Sequence, residues 1–334
     1  MTTARPAGSR PRRRRLRAVL LAVSAFAVAA TVIALGVVGA SERASGEDAA
    51  ASAAGAGAHG SAAVGIRSFV APTDISTVAN VQYTTADGTA QRLDVCLPAT
   101  TGTNRPAVLV VHGGAWTHGD KSSTDWHPVC QWLASEGFVT FSADYSLVPQ
   151  ARFPVAVDEL ASAIAWMRTS STVARFGIDP KHIGVFGGSA GGSMAALLAT
   201  RGSGPTDRGT RVAALAEISG PVDLTAQGQT LGHPGAGIQR IELDYLGCST
   251  FANCPQAATA SAITHVDSSD PPTFIQGSEG DFVPHEQGQA FAAALARAGV
   301  PQVSRVVPGD AHSIAELDAP TRAAIAAFLH RYLG

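Results

Sequence analysis

Four short motifs in this chain combine residue types and surroundings suited to nucleophilic chemistry. Ser189 lies at the centre of Gly187-Gly188-Ser189-Ala190-Gly191, between an apolar strand-like run and a helix-like run. On such a turn a serine takes strained backbone angles and its hydroxyl stands exposed. The glycines let strand and helix approach closely, and the helix N-terminus that follows favours developing negative charge. A serine hydroxyl needs a base active near neutral pH, and histidine is the side chain suited to that. His312, in the loop PGDAHS, is the first candidate. A carboxylate must then fix the imidazole tautomer and orientation. Asp281, in Gly280-Asp281-Phe282-Val283-Pro284, sits just after another apolar run. His118, His265 and His285 stay open as rival bases, and Asp270 and Asp310 as rival acids. Asp310 lies two residues from His312, an awkward separation for side-chain pairing. The fourth motif, His112-Gly113-Gly114-Ala115-Trp116, follows the apolar run AVLVV. Its glycines allow backbone N–H groups to face a substrate oxygen, and a tetrahedral oxyanion needs two or three such donors. His112 reads as a brace for this loop rather than as a base.

The elements that must carry these motifs alternate in type. Val81–Tyr83 and Leu93–Val95 form an expected hairpin about Asp87-Gly88. Ala107–Val111 is apolar throughout, as a strand buried on both faces should be. Further strands are expected at 139–143, 183–186, 212–218, 272–276 and 303–307, with helices at 126–136, 154–169, up to Thr200, 286–298 and 319–332. Such alternation predicts an α/β fold with a mostly parallel central sheet and helices on both faces. Residues 221–268 read as an irregular, cap-like insertion. Trp116 and Trp126 are candidates for lining a pocket, with core packing favoured for Trp126.

The chain has 334 residues, a net charge of −2 and 46% hydrophobic residues, which fits a globular protein. Seven arginines precede residue 40 with no acidic residue among them; without them, 17 basic residues face 26 acidic ones, about −9 net. An acidic body without a basic stripe argues against a nucleic-acid partner. From Ala18 to Ala40 there is no charged residue. That run, flanked by arginines and ending Val38-Gly39-Ala40, is expected to be either a cleaved export signal or a retained membrane tether. Residues 41–67, rich in Ala, Gly and Ser, read as a linker, leaving 68–334 as the folded domain. Export would permit disulfides among Cys96, Cys130, Cys248 and Cys254. Sequence proximity favours Cys248–Cys254, and Cys96–Cys130 follows by elimination. The alternative is four free thiols. No His/Cys cluster has zinc spacing, so neither a metal nor a cofactor is expected.

The order Ser…Asp…His, the post-strand positions, the HGG loop and GGSAG together resemble the α/β-hydrolase superfamily. Within it, the chain is similar to the esterase/lipase group related to hormone-sensitive lipase and to bacterial feruloyl-esterase-like enzymes. Leu93–Pro98, Gly119-Asp120-Lys121, Asp144-Tyr145, Phe153-Pro154 and Asp270-Pro271-Pro272 add to the likeness, which covers about 78–334. The resemblance implies ester hydrolysis with Ser189 as nucleophile, His312 as base and Asp281 as acid. It implies oxyanion donors at the Gly114, Ala115 and Ala190 N–H groups, with Gly113 shaping the loop. The chain departs from the pattern with HGGA for HGGG, Ser146-Leu147-Val148-Pro149-Gln150 in the segment after Asp144-Tyr145, and Gln276-Gly277 where His-Gly is usual. The expected substrate is a small-molecule or polysaccharide-linked ester; oligomeric state is not legible. A serine peptidase of the prolyl-oligopeptidase type and a catalytically inactive binding module are the competing readings.

Overall fold

Ala107–Val111 is apolar at every position because both faces of its strand are covered. In the computed structural model, which describes residues 64–334, Ala107, Leu109 and Val111 enter one core cluster while Val108 and Val110 enter another. The alternation follows the two-residue period of a strand. The strand is β3 (Arg105–Val111) of an eight-stranded sheet; the others are β1 (Ser76–Thr84), β2 (Ala90–Leu97), β4 (Val139–Ala143), β5 (Ile178–Gly188), β6 (Ala214–Ile218), β7 (Thr273–Ser278) and β8 (Gln302–Val307). Their spatial order is β1-β2-β4-β3-β5-β6-β7-β8. The β1–β2 and β2–β4 pairings are antiparallel, and every later pairing is parallel. The result is the α/β-hydrolase fold.

Helices cover both faces. On one lie α2 (Val155–Met167), α4 (Ala190–Thr200) and α7 (Glu286–Arg297), contributing Leu160, Met194 and Phe291 to the first cluster. On the other lie α1 (His127–Ser135) and α8 (Ala319–Leu333), contributing Trp132 and Phe328 to the second. The sequence-based reading omits α3 (Ser170–Phe176), a short helix whose Thr169 hydroxyl accepts a hydrogen bond from the Thr172 N–H.

Two segments differ most from the sequence-based expectation, and β5 also begins five residues earlier than expected. Residues 221–268 are not uniformly irregular: they hold α5 (Ala236–Leu246) and α6 (Gln256–Ala260). Gly247 closes α5 in the left-handed region, at φ 71°. The linker expected up to 67 ends earlier. A 3-10 turn at Gly65–Ser68 packs on the domain, and Ile66 is 1% exposed within the second cluster. The Arg322 guanidinium donates to the Gly65 carbonyl at 3.2 Å and to the Leu317 carbonyl at 2.6 Å. The expected signal or tether at 18–40 and the rest of the linker up to 63 lie outside the described residues. The structure bonds Cys96 at the end of β2 to Cys130 in α1, and Cys248 to Cys254 just beyond α5, with Cα–Cα separations of 5.8 and 5.5 Å.

If the 64–67 turn is part of the core rather than of a linker, Ile66→Ala should lower unfolding free energy by about 2–4 kcal/mol, as buried truncations do. Urea unfolding of the purified protein reads this directly, and an unchanged midpoint would return the segment to the linker.

Candidate active site

Ser189 is the residue between β5 and α4, with φ 57° and ψ −129°. A residue bearing a Cβ rarely takes these angles, and holding it there costs on the order of 1–3 kcal/mol. Close packing enforces the turn. A Cβ on Gly187 would collide with the Gly191 carbonyl, and one on Gly191 with the carbonyls of Val111 and His112. The Ser189 N–H donates to the Ile218 carbonyl at 2.9 Å, tying the turn to the end of β6. Although it occupies the N-cap position of α4, its hydroxyl makes no capping bond. The side chain is half-buried and remains accessible.

The HGG loop follows β3 and lies against this turn. A Cβ on Gly113 would come within 3.2 Å of the Ser189 Cβ. Two peptide groups in the loop have fixed directions. The His112 Nδ1 lies 2.8 Å from the Gly113 carbonyl, and the Gly114 carbonyl accepts from the N–H groups of Thr117 and His118. In a trans peptide the N–H opposes the carbonyl, so the Gly114 and Ala115 N–H groups point away from those contacts. Neither has an acceptor among the described residues. Positive φ at Gly114, Ala115 and Trp116 shapes the turn. His112 is buried, and that burial lowers its pKa, keeping it neutral. Its ring stacks on Tyr145 at 4.2 Å, and the Tyr145 hydroxyl donates to the His112 carbonyl at 2.8 Å. Trp116 stacks on Tyr245 of α5 at 4.4 Å. Trp126 belongs to the core, beneath Gly113 and Gly188.

Asp281 follows β7 and His312 follows β8. The His312 Nδ1 lies 2.8 and 2.9 Å from the two Asp281 carboxylate oxygens. A Cβ on Gly188 would strike the Ser313 hydroxyl, so the residue before Ser189 touches the residue after His312. No direct Ser189–His312 hydrogen bond is formed; such bonds are often long without substrate and tighten in the complex. The rivals make other contacts; Asp310 lies beside Gly280 and bonds no histidine among the described residues. His118 pairs with Thr117, His265 with the Thr259 carbonyl, and His285 lies 3.7 Å from Glu286. Asp270 holds Arg211. Phe282 is 55% exposed, with its ring 4.0 Å from the His312 ring.

A buried network that the motifs do not reveal lies behind His312. The Ser219 hydroxyl bonds to Glu316 and accepts the Ser313 N–H at 3.0 Å. Gln276, at the position where histidine is usual, donates to Glu316 at 3.0 Å. Burial raises the pKa of Glu316, while Ser219 and Gln276 oppose that shift. Glu217 is deeper, and burial pushes its pKa up to about 8. The only sequence signal for this network is a pair of carboxylates within or beside apolar runs.

These elements place the Ser189 turn and the HGG loop on central strands and Asp281 and His312 after β7 and β8. All four motifs lie at the carboxyl ends of parallel strands, where open α/β sheets bind ligands. Comparison with known proteins agrees in class. The BD-FAE family model matches residues 93–295, more than half of the chain, and the chain belongs to that family. It is 32% identical over 238 residues to Esterase LipQ of Mycobacterium tuberculosis, covering 68% of this chain and 54% of that protein. It is 31% identical to Esterase LipC of the same organism, covering 73% and 63% respectively. The chain therefore spans between about half and two-thirds of these relatives' lengths. Among solved structures, the Pyrobaculum calidifontis esterase aligns with a TM-score of 0.65 at 27% identity, covering 78% of this chain and 87% of that one.

The raised pKa of Glu217 sets a sign for stability. The folded state keeps a proton that the unfolded chain releases above about 4.5, so this contribution is complete below that pH and is lost as pH rises through about 8. Glu217→Gln should therefore gain thermal stability relative to wild type as pH goes from 5 to 8. Melting curves at several pH values measure the gap, and a gap independent of pH would contradict the assignment.

Proposed function

We propose that this chain is a serine carboxylic-ester hydrolase working through an acyl-enzyme on Ser189. The observation that carries the reading is the Asp281–His312 pair, held by a loop that packs against the serine turn. Ser189 Oγ attacks the ester carbonyl while His312 takes its proton, and Asp281 stabilises the resulting imidazolium. The N–H groups of Gly114, Ala115 and Ala190 receive the negative oxygen, helped by the N-terminus of α4. His312 then protonates the leaving alcohol, and water activated by the same histidine releases the acid. The relatives' names as esterases support this chemistry.

Export is part of the same proposal. The arginine-flanked apolar run at 18–40 supports it, either as a cleaved signal or as a tether, and the two bonded cysteine pairs fit an oxidising compartment.

On p-nitrophenyl acetate, Ser189→Ala should lower kcat by about five to six orders of magnitude and Asp281→Asn by about four. A fluorophosphonate probe should label wild type and not the Ser189 variant. Retained turnover in Ser189→Ala would defeat the reading, and cleavage of peptide anilides in preference to esters would favour the peptidase alternative.

A further inference from the structure

His312 stands at the start of a 3-10 turn, Ser313–Glu316, in its N-cap position. The first N–H groups of a helical turn have no partner inside it, and the N-cap residue commonly supplies one from its own side chain. The His312 side chain makes no such bond; its ring is turned to Asp281 instead. A residue from another strand takes over the cap. The Ser219 hydroxyl, just past β6, accepts the Ser313 N–H at 3.0 Å.

That hydroxyl has a set direction. It donates to Glu316, the last residue of the same turn, and Glu316 also accepts from Gln276 Nε2 of β7 at 3.0 Å. With its one proton committed to the carboxylate, the serine oxygen offers lone pairs to Ser313. The Ser219 N–H donates to the Gln276 carbonyl at 2.8 Å, which anchors its backbone to β7 as well. On the other side of His312, the hydroxyl of Ser278, the last residue of β7, donates to the Ala311 carbonyl. The Ser278 carbonyl in turn accepts the Asp281 N–H at 3.3 Å. Residues 311 and 313 are thus each held by a serine hydroxyl, and His312 is the residue between them.

The backbone carries a cost at these contacts. Ser219 and Ser313 stand at φ 53° and 56°, in the left-handed region. Glycine would stand there with less strain, and a serine persists only where its surroundings impose it. At 219 the hydroxyl is the one thing a glycine would not bring. Ser219 and Ser278 are both buried, so a partner left unmet there goes without water.

An imidazole tied only through Nδ1 still moves with its loop, and a shift of about 1 Å in a reacting group can cost about a hundredfold in rate. Resting on the esterase reading above, we infer that Ser219 and Ser278 are positioning residues that hold His312 from both sides, keeping its imidazole in place for the Ser189 hydroxyl, and that Glu316 aims the hydroxyl of Ser219.

The test uses the full chain on p-nitrophenyl acetate with Ser219→Gly, Ser278→Ala, Glu316→Leu and Glu316→Gln. Ser219→Gly removes the hydroxyl while easing the left-handed backbone, so this variant should fold. Ser219→Gly, Ser278→Ala and Glu316→Leu should each lower kcat by about ten- to a hundredfold and leave KM within about twofold of wild type. Glu316→Gln keeps an oxygen that accepts from Ser219, and it should recover most of the loss seen in Glu316→Leu. Amide hydrogen exchange at Ser313 should quicken in Ser219→Gly while the amides of β5 stay protected. A fall in kcat that only tracks the fall in melting temperature across the set overturns the inference. So does a rise in KM at constant kcat, or an unchanged exchange rate at Ser313. A wild-type chain inert towards every ester and towards a fluorophosphonate defeats the esterase reading itself; full turnover without the hydroxyl at 219 defeats this inference alone.

Discussion

The backbone of Ser189 stands at angles that its own side chain disfavours, and the close packing around it permits no ordinary turn. Gly187, Gly188 and Gly191 let β5, α4 and the loop after His312 come together at distances that a Cβ would forbid. The strain is small beside the apolar surface buried on both faces of β3 and β5, which holds the turn in place. The same closeness brings Gly113 against the serine and Ser313 against Gly188. One steric constraint thus assembles Ser189, the HGG loop and the His312 loop from segments far apart in sequence.

The ionisable groups around the site differ in their hydrogen-bond partners. His112 is buried, stacked on Tyr145 and kept neutral, and it acts on the Gly113 carbonyl rather than on a proton. Glu217 and Glu316 lie in surroundings that favour their protonated forms. Asp281 spends both oxygens on His312, and one of them also accepts the Val283 N–H at 3.0 Å. All three carboxylates are enclosed, and Glu217 likewise has a backbone donor, the Gly220 N–H at 3.0 Å. Ser219 links the two groups by holding the N–H of Ser313, the residue directly after His312.

Much of this was legible from local pattern. The continuous apolar runs gave the buried strands because both sheet faces are covered, and the glycine motifs stood where chain direction reverses between strand and helix. What escaped depends on partners distant in sequence. The turn at 64–67 looks like more Ala/Gly/Ser linker until Ile66 is seen in the core and Arg322 on its carbonyl. In α5, Ile238, Ile241 and Tyr245 have helical spacing and Gly247 supplies the stop, so the helix was readable; the surrounding Gly and Pro residues masked it. Ser219 and Glu316 carry no motif at all, since a serine and a glutamate become a network only when β6 and the segment before α8 are brought together.

The strand order has a bearing on how such a molecule would wear out. Among the described residues β8 is the last strand in the sheet and pairs only with β7, and Val303 and Val306 on it are open to solvent. Ser189 hangs from a strand flanked on both sides, whereas His312 hangs from the margin. Margins open at lower free energy than interiors. Warming should accordingly fray the His312 end of the sheet first, leaving a folded body whose serine turn is intact and whose proposed base has drifted away.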